Sequence, residues 1–539
     1  MHKITMLAAV LLATTATPAA AQSISGCGTV AIPKAQANDA DRLLIGAECF
    51  EKVETTARGA KEARRDRAAT IAPDPRAKLG INVSTVAYWS GEATFANQAL
   101  ALEWRDPAGG WGYVPAERLH DGIPAAIEPG HGLLGFLTPP VEAFRGEGPT
   151  TRCTWEGTGT VTIGNAAVVS TADHAITFEW PKTKTPMQTV TLNLGATSAG
   201  DPVRSIDCRV PTDPADAVFA PQLLDYLKPF GVLRFLDWST ANNGPPAVTW
   251  ATRGTPRGLA ISGSDGIALE YQIGLANAAS ASPWFTVPWN ADDDYHRRAA
   301  ALVKAGIPAD RPVYVELANE TWNWQFDQAR QARDEGVAAK LADTPFQAGL
   351  HRYAQKTAHI MKIWAAVFAD RPGQLVRVAA TQNDNPWTAE VVLAWGDLAA
   401  NVDALATAPY FGHSFFDANP TETDVPTLMA TLAGYAKGVV AGPVAQNAEI
   451  AKKYGKRFIT YEAGQHVVAP DRLALLEQMQ RSPLMEPIYR TFIADMAAKT
   501  DLLTLYSATS PITGYGAFGL REYAGQPIAE TPKLRGVIR

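Results

Sequence analysis

The stretch Val313-Tyr-Val-Glu-Leu-Ala-Asn-Glu-Thr-Trp-Asn-Trp324 decides the fold prediction. Its β-branched and aromatic residues predict a short buried strand that ends just before Asn319 and Glu320. A second run of this kind, 457–462, ends at Glu462. Each run therefore presents a carboxyl group where its strand ends, and in a parallel sheet such ends meet at one edge.

The strand runs on either side of this stretch alternate with amphipathic segments such as 295–305 and 344–368. This alternation predicts a parallel sheet with helices packed on it. We count eight strand candidates: 79–85, 232–236, 284–288, 313–317, 375–380, 404–408, 458–461 and 502–506. Eight strands predict a (β/α)8 TIM barrel, with Glu320 after the fourth strand and Glu462 at the end of the seventh. An open doubly wound sheet is the alternative, but no Gly-x-Gly-x-x-Gly turn follows the first strand.

The segment between the first two barrel strands has a different texture. Runs of alternating residues at 159–163, 175–180 and 188–194 are separated by Gly, Thr and Pro, which predicts an antiparallel β-sandwich-like module. We therefore divide the chain into a barrel at 76–105 and 212–539 and an inserted β-rich module at 106–211. Residues 22–75, rich in charge and alanine, predict an N-terminal helical segment.

The N-terminus resembles a cleaved secretory signal. Lys3 supplies a positive charge, residues 6–17 are apolar or small, and Ala19-Ala20-Ala21 offers a cleavage site. Residues 1–21 are thus predicted to be removed, and the protein to be periplasmic or extracellular. An uncleaved anchor helix is the alternative.

Four cysteines remain after that cleavage, and an even number in an oxidising compartment favours two disulfides. Of the three possible pairings we favour Cys27–Cys49 and Cys153–Cys208, because each closes a loop within one region of the chain. No Cys-x-x-Cys motif or close Cys/His spacing predicts a metal site, and we expect no cofactor.

Composition limits the partners. The 539 residues are 46% hydrophobic and 19% charged, which is typical of a soluble globular protein. A formal net charge of −6 gives no basic surface for nucleic acid. Beyond the N-terminus, no apolar run of the sequence reaches the length that predicts a membrane span.

Polar and aromatic residues are dense where the predicted barrel strands end, which is where barrel enzymes hold their active sites. Tryptophan faces stack on sugar rings, and amides and carboxylates bind sugar hydroxyls, so this end suits a carbohydrate. A structural ion pair with Arg234 is the alternative role for Glu462, and the run Asp292–Asp294 is predicted to cap a helix. The predicted site comprises Glu320 and Glu462 as catalytic residues, and Asn319, Arg234, Trp289, Trp322, Asn383, Trp387, Tyr410, His413 and His466 as substrate-binding residues.

The Asn319-Glu320 pair after strand four, with Glu462 at strand seven, resembles glycoside hydrolase clan A over about residues 76–105 and 212–539. The resemblance implies a (β/α)8 retaining glycosidase, with Glu320 as acid/base and Glu462 as nucleophile. It also implies supporting positions near the nucleophile for Arg234 and Tyr410. The large insertion after strand one departs from the simplest pattern of the clan.

The expected function is therefore hydrolysis of β-glycosidic bonds in a poly- or oligosaccharide, with the substrate sugar left open. A non-catalytic carbohydrate-binding barrel of the cell envelope is the alternative. A secreted esterase ranks lower, because the chain has no Gly-x-Ser-x-Gly motif.

Overall fold

The computed structural model describes residues 76, 78–114, 118–128, 130–137, 149–181, 189–197, 199–256, 259, 261 and 266–538. The predicted signal at 1–21, the helical segment at 22–75 and the pairing Cys27–Cys49 lie outside these residues and stay predictions.

In chain order the described strands are β1 (Leu79–Asn82), β2 (Glu103–Asp106), β3 (Gly112–Tyr113), β4 (Leu119–His120), β5 (Ile123–Pro124), β6 (Leu133–Phe136), β7 (Thr150–Glu156), β8 (Gly159–Gly164), β9 (Ala167–Ala172), β10 (Ala175–Glu179), β11 (Thr191–Thr197), β12 (Arg204–Arg209), β13 (Val232–Arg234), β14 (Ser282–Val287), β15 (Val313–Leu317), β16 (Leu375–Ala380), β17 (Ala404–Thr407), β18 (Tyr410–Phe411), β19 (Arg457–Thr460), β20 (Gly464–Gln465) and β21 (Leu502–Leu505).

The described α-helices are α1 (Pro221–Leu227), α2 (Leu269–Ala278), α3 (Asp293–Gly306), α4 (Asp327–Ala338), α5 (Pro345–Val367), α6 (Trp387–Ala394), α7 (Leu398–Asn401), α8 (Phe415–Ala418), α9 (Val425–Val439), α10 (Ala445–Lys453), α11 (Leu473–Arg481), α12 (Met485–Ala497) and α13 (Pro532–Val537).

Eight parallel strands close into a barrel in the order β1-β13-β14-β15-β16-β17-β19-β21, and these are called barrel strands one to eight below. Pairing of Leu79 with Leu503 joins the last strand to the first. The eight strands are those predicted from the sequence, each within a few residues, so the barrel is confirmed. Glu320 follows strand four and Glu462 follows strand seven, as predicted.

Alternate residues of the barrel strands point inward, as a pleated strand requires. An apolar layer fills the interior, and Trp284 stacks on Tyr314 within it with ring centroids 5.4 Å apart. A polar layer lies nearer the carboxyl ends of the strands and contains Asn82, Arg234 and Glu316, all fully buried. The opposite faces of the strands pack against the surrounding helices.

Helix starts follow the local sequence. Asp292 caps α3 by accepting a hydrogen bond from the backbone N–H of Tyr295, and Asp293 and Asp294 occupy the first turn. Negative charge there interacts favourably with the helix dipole. The capping role predicted for this acidic run is confirmed.

Between barrel strands one and two the chain forms a four-stranded sheet, β12-β7-β10-β9, and a five-stranded sheet, β3-β2-β6-β11-β8. Inward side chains of both sheets share one core, which includes Phe178 and Leu192. The disulfide Cys153–Cys208 joins the neighbouring strands β7 and β12 and confirms that prediction. Because β2 begins at Glu103, the five-stranded sheet starts slightly before residue 106.

Among the described residues, one helical stretch, Val425–Lys453, is long and apolar enough to cross a membrane by length and composition. In this structure Leu428, Met429 and Leu432 are buried and belong to the core around the barrel. An apolar core helix passes the same test, so the stretch is weak evidence for a span.

Candidate active site

The two predicted catalytic carboxyl groups lie at the same end of the barrel. Strand four ends at Leu317 and leads into a tight turn in which Ala318 and Glu320 have left-handed backbones, with φ values of 53° and 42°. Such conformations are strained for residues other than glycine and cluster at functional sites. The backbone N–H of Asn323 donates to the carbonyl of Glu320 at 2.8 Å and closes the turn.

Glu320 is half-buried and is held by two donors. The Tyr461 hydroxyl donates to one carboxyl oxygen at 3.2 Å, and the side-chain amide of Asn323 donates to the other at 2.9 Å. Burial, followed by the negative charge of Glu462, raises the pKa of Glu320 to about 7. Near neutral pH this carboxyl group can therefore exist in both protonation states.

Glu462 is buried in different surroundings. The Arg234 guanidinium donates to one of its oxygens at 2.8 Å, and the Tyr410 hydroxyl donates to the other at 2.8 Å. A cation and a hydroxyl donor both favour the ionised carboxylate. The site thus contains one carboxyl group with a raised pKa, Glu320, and one that is paired with a cation, Glu462.

Arg234 is fully buried, and its five N–H donors are all used. Its partners are two oxygens of Glu316 and one oxygen each of Asn82, Asn319 and Glu462, at 2.8–3.1 Å. Burial alone would lower the pKa of Arg234, but the charges of Glu316 and Glu462 outweigh it and raise the pKa. Arg234 therefore positions side chains and has no donor left for a sugar, which corrects its predicted substrate-binding role.

Three other predicted substrate-binding residues are also buried and bonded to protein groups. Asn319 accepts from Arg234, and its amide donates to Asn242 at 3.3 Å. The indole N–H of Trp289 donates to Glu335 at 3.3 Å.

The third of these residues, Asn383, accepts from Thr407 at 3.1 Å and donates to Asp384 at 2.9 Å. Asn319, Trp289 and Asn383 are each 2% exposed, and the side chains of Trp289 and Asn383 shape the site from behind. The predicted substrate contact of Trp289 and Asn383 is corrected accordingly.

An aromatic wall borders Glu462. The His466 ring lies between His413 and Phe518, with centroid separations of 5.4 and 5.3 Å and near-parallel planes. Tyr410, which bonds Glu462, lies 5.4 Å from His466. Burial, and then the neighbouring His413, lower the pKa of His466. The structure therefore brings the predicted residues Tyr410, His413 and His466 together at this wall.

Two predicted tryptophans lie on the Glu320 side of the site. Trp322 is half-buried against the barrel core, whereas Trp387 is 45% exposed at the start of α6. The ring of Phe346 stacks beneath Trp387 with centroids 6.2 Å apart.

Several site residues were missed from the sequence because they appear singly in apolar runs. Glu316 and Tyr461 point into the barrel. Side chains alternate along a strand, so their positions two residues after the interior residues Tyr314 and Ile459 could have predicted this orientation. Asp237, in the turn after strand two, is a third carboxyl group near Glu462. Burial, and then the charge of Glu462, raise the pKa of Asp237 to about 7.

Among the described residues, no group of three or more His, Cys, Asp or Glu side chains is arranged to hold a metal ion.

A closed eight-stranded parallel barrel with two carboxyl groups at its carboxyl end is the arrangement found in barrel glycosidases. No family model matches the chain, and no curated protein matches it. Solved structures similar to it include an α-L-arabinofuranosidase from Thermotoga maritima, at 12% identity and a TM-score of 0.35, with 57% of this chain and 60% of that chain covered.

Others are a glycoside hydrolase family 5 mannosidase from Rhizomucor miehei (12% identity, TM-score 0.32, 59% and 86% covered) and a β-glucosidase from Thermotoga maritima (13%, 0.31, 58% and 84%). The chain spans 60% of the length of the arabinofuranosidase. Similarities with TM-scores this low do not indicate a particular substrate or reaction.

Proposed function

We propose that the protein is a secreted retaining glycoside hydrolase that cleaves β-glycosidic bonds of a poly- or oligosaccharide by double displacement. One observation carries the proposal: burial and the charge of Glu462 raise the pKa of Glu320 to about 7, whereas Glu462 itself is paired with the Arg234 guanidinium. Pairs of carboxyl groups separated in this way supply the acid and the nucleophile of glycoside hydrolysis. Secretion is inferred from the N-terminal sequence alone.

In the first step, the Glu462 carboxylate attacks the anomeric carbon and forms an ester with it. The bond from that carbon to the leaving oxygen breaks, and Glu320 transfers its proton to this oxygen. In the second step, Glu320 takes a proton from water as the water oxygen attacks the anomeric carbon. The ester breaks, and Glu462 is released as a carboxylate.

The same contacts explain how Glu320 changes its role between the two steps. The charge of Glu462 is one cause of the raised pKa of Glu320. When Glu462 becomes an ester this charge disappears, so the pKa of Glu320 falls and its carboxylate form is favoured. Glu320 is thus an acid when it must donate and a base when it must accept.

Asn319 is a predicted substrate-binding residue, and in this mechanism its partner is the sugar 2-hydroxyl. Its oxygen already accepts from Arg234, and its amide makes a long bond of 3.3 Å to Asn242. A sugar hydroxyl would have to replace Asn242 as the acceptor. We propose this exchange as the way in which Asn319 reaches the substrate.

The test is hydrolysis by wild-type protein of β-glucans, mannans, xylans and aryl β-glycosides, compared with Glu320→Gln and Glu462→Gln. Each variant keeps the side-chain shape but loses the reacting group, and we expect kcat to fall at least about 10²-fold while the melting temperature is kept.

Full activity in either variant would contradict the role given to that residue. Binding of a polysaccharide by wild-type protein without released reducing ends would instead favour the non-catalytic carbohydrate-binding barrel. Thr381→Ser, a small change to a buried side chain just after strand five, serves as the folding control.

A further inference from the structure

Three neighbouring aromatic side chains are here called the aromatic platform: the exposed Trp324 and Trp387, and the half-buried Phe346 between them. Trp324 is 44% exposed and Trp387 45% exposed. Phe346 lies between them, with ring centroids 6.0 Å from Trp324 and 6.2 Å from Trp387. Exposed apolar surface of this kind is characteristic of binding sites.

The chain path explains why these residues meet at the active-site end of the barrel. Trp324 lies in the turn that follows strand four, and Trp387 begins α6 after strand five. Phe346 lies at the start of the long helix α5, which returns the chain to the opposite end before strand five begins. All three therefore lie where the strands end, which is the end that holds Glu320 and Glu462.

The platform includes a residue of the same turn as the proposed acid/base. Asn323 donates to the carboxyl group of Glu320, and Trp324 is the next residue. The sugar released by cleavage is bonded to the oxygen that Glu320 protonates, so this sugar must lie beside Glu320. The platform extends from that position and offers ring faces to sugars that continue beyond the cleaved bond.

Charge around the platform indicates a neutral ligand. Arg330 forms an ion pair with Asp327, and Arg333 forms one with Asp334 at 2.7 Å. The Arg333 guanidinium also lies 5.1 Å from the ring centroid of Trp324. Because each cation is matched by a carboxylate, these side chains provide no net charge to attract an anionic sugar.

We propose that the aromatic platform binds the leaving-group side of a neutral polysaccharide, so that the substrate is a chain that continues past the cleaved bond. This inference rests on the proposed function and deepens it by naming the substrate class and the side of the site where the chain lies.

The test compares kcat/KM on a neutral polysaccharide with kcat/KM on aryl β-glycosides of one to three sugars, which carry no sugar as leaving group. For Trp324→Ala and Trp387→Ala we expect a loss of about fivefold on the polysaccharide, since an aromatic contact contributes about 1 kcal/mol. On the aryl glycosides we expect values close to wild type. Trp111→Ala is the matched control, because Trp111 is 56% exposed but lies between β2 and β3 of the β-rich segment.

Three results would overturn the platform while leaving the glycosidase proposal intact. Trp324→Ala and Trp387→Ala could lose kcat/KM equally on both substrates, or lose none on the polysaccharide. The third result is the same selective loss of kcat/KM in Trp111→Ala. Wild-type cleavage of aryl glycosides but of no polysaccharide would also overturn it. A wild-type protein that cleaves neither substrate class would overturn the proposed function, and the platform with it.

Discussion

At the scale of single residues, the surroundings of Glu320 determine its acid–base behaviour. Burial and the nearby Glu462 favour its protonated form, whereas Tyr461 and Asn323 donate hydrogen bonds that favour the carboxylate. The balance places its pKa at about 7, close to the range in which a side chain can both give and take a proton. Glu462, bonded to Arg234, has a cation to stabilise its charge.

This balance predicts the pH dependence of the free enzyme. In the proposed mechanism the protonated form of Glu320 acts in the first step, so kcat/KM should fall as the pH rises through about 7. The measurement is kcat/KM on an aryl glycoside from pH 4 to pH 10, which is about three pH units on each side of that pKa.

Asp237 has a similar pKa and provides the control. In Asp237→Asn the alkaline fall should remain, whereas in Glu320→Gln the residual activity should not show it. Loss of the fall in Asp237→Asn alone would assign it to Asp237 and contradict the role of Glu320.

The sequence predicted only some of the residues that form the site. Glu320 and Glu462 stand at the ends of recognisable strands, so the sequence placed them correctly relative to the barrel. Trp289 and Asn383 also follow strands, but burial decides whether such a side chain faces a ligand or the protein. That outcome depends on which helix packs over each strand end, and a pattern of single residues does not contain it.

At the scale of elements, Arg234 connects four barrel strands. It extends from strand two and bonds Asn82 on strand one, Glu316 on strand four and Glu462 after strand seven. Glu316 additionally accepts from the indole N–H of Trp284 at 2.9 Å. The buried charges are therefore paired and hydrogen-bonded, which the low-dielectric interior of the barrel requires.

Arg234→Met should consequently destabilise the fold as well as reduce turnover. Removing the guanidinium leaves Glu316 and Glu462 buried without their cation, and breaking a buried pair costs about 3–5 kcal/mol. Urea unfolding measures the loss. The double variant Arg234→Met/Glu316→Gln should recover part of it, because one unpaired charge is removed.

An unchanged free energy of unfolding in Arg234→Met would contradict this account of the network. The sequence suggested an ion pair between Arg234 and Glu462, and that pair is present. Glu316 was not recognised as a partner, because an apolar strand with one inward glutamate resembles any buried strand until the closed barrel shows which face is inside.

At the scale of the whole molecule, closure of the barrel brings Glu320 and Glu462 to the same end. Strand alternation along the sequence predicted all eight strands, since each buried parallel strand is a short apolar run bounded by helix and turn signals. The β-rich segment between β1 and β13 was recognisable by its shift to period-two alternation. Its sheet orders were not predictable, because the pairing of distant antiparallel strands is set by packing in three dimensions.

Barrel closure also fixes the spacing of the two carboxyl groups, which lie after strands four and seven of one rigid sheet. A retaining mechanism needs them about 5–5.5 Å apart, so that Glu462 can reach the anomeric carbon directly. A wider spacing of about 6.5–9.5 Å would admit a water between Glu462 and the sugar and give inversion. Stereochemistry of the product is therefore a direct readout of the proposed geometry.

The most direct measurement is proton NMR of the anomeric signals during early hydrolysis of a β-linked substrate, before mutarotation mixes the products. The account predicts that the β-anomer appears first. First appearance of the α-anomer would show inversion and contradict the assignment of Glu462 as nucleophile.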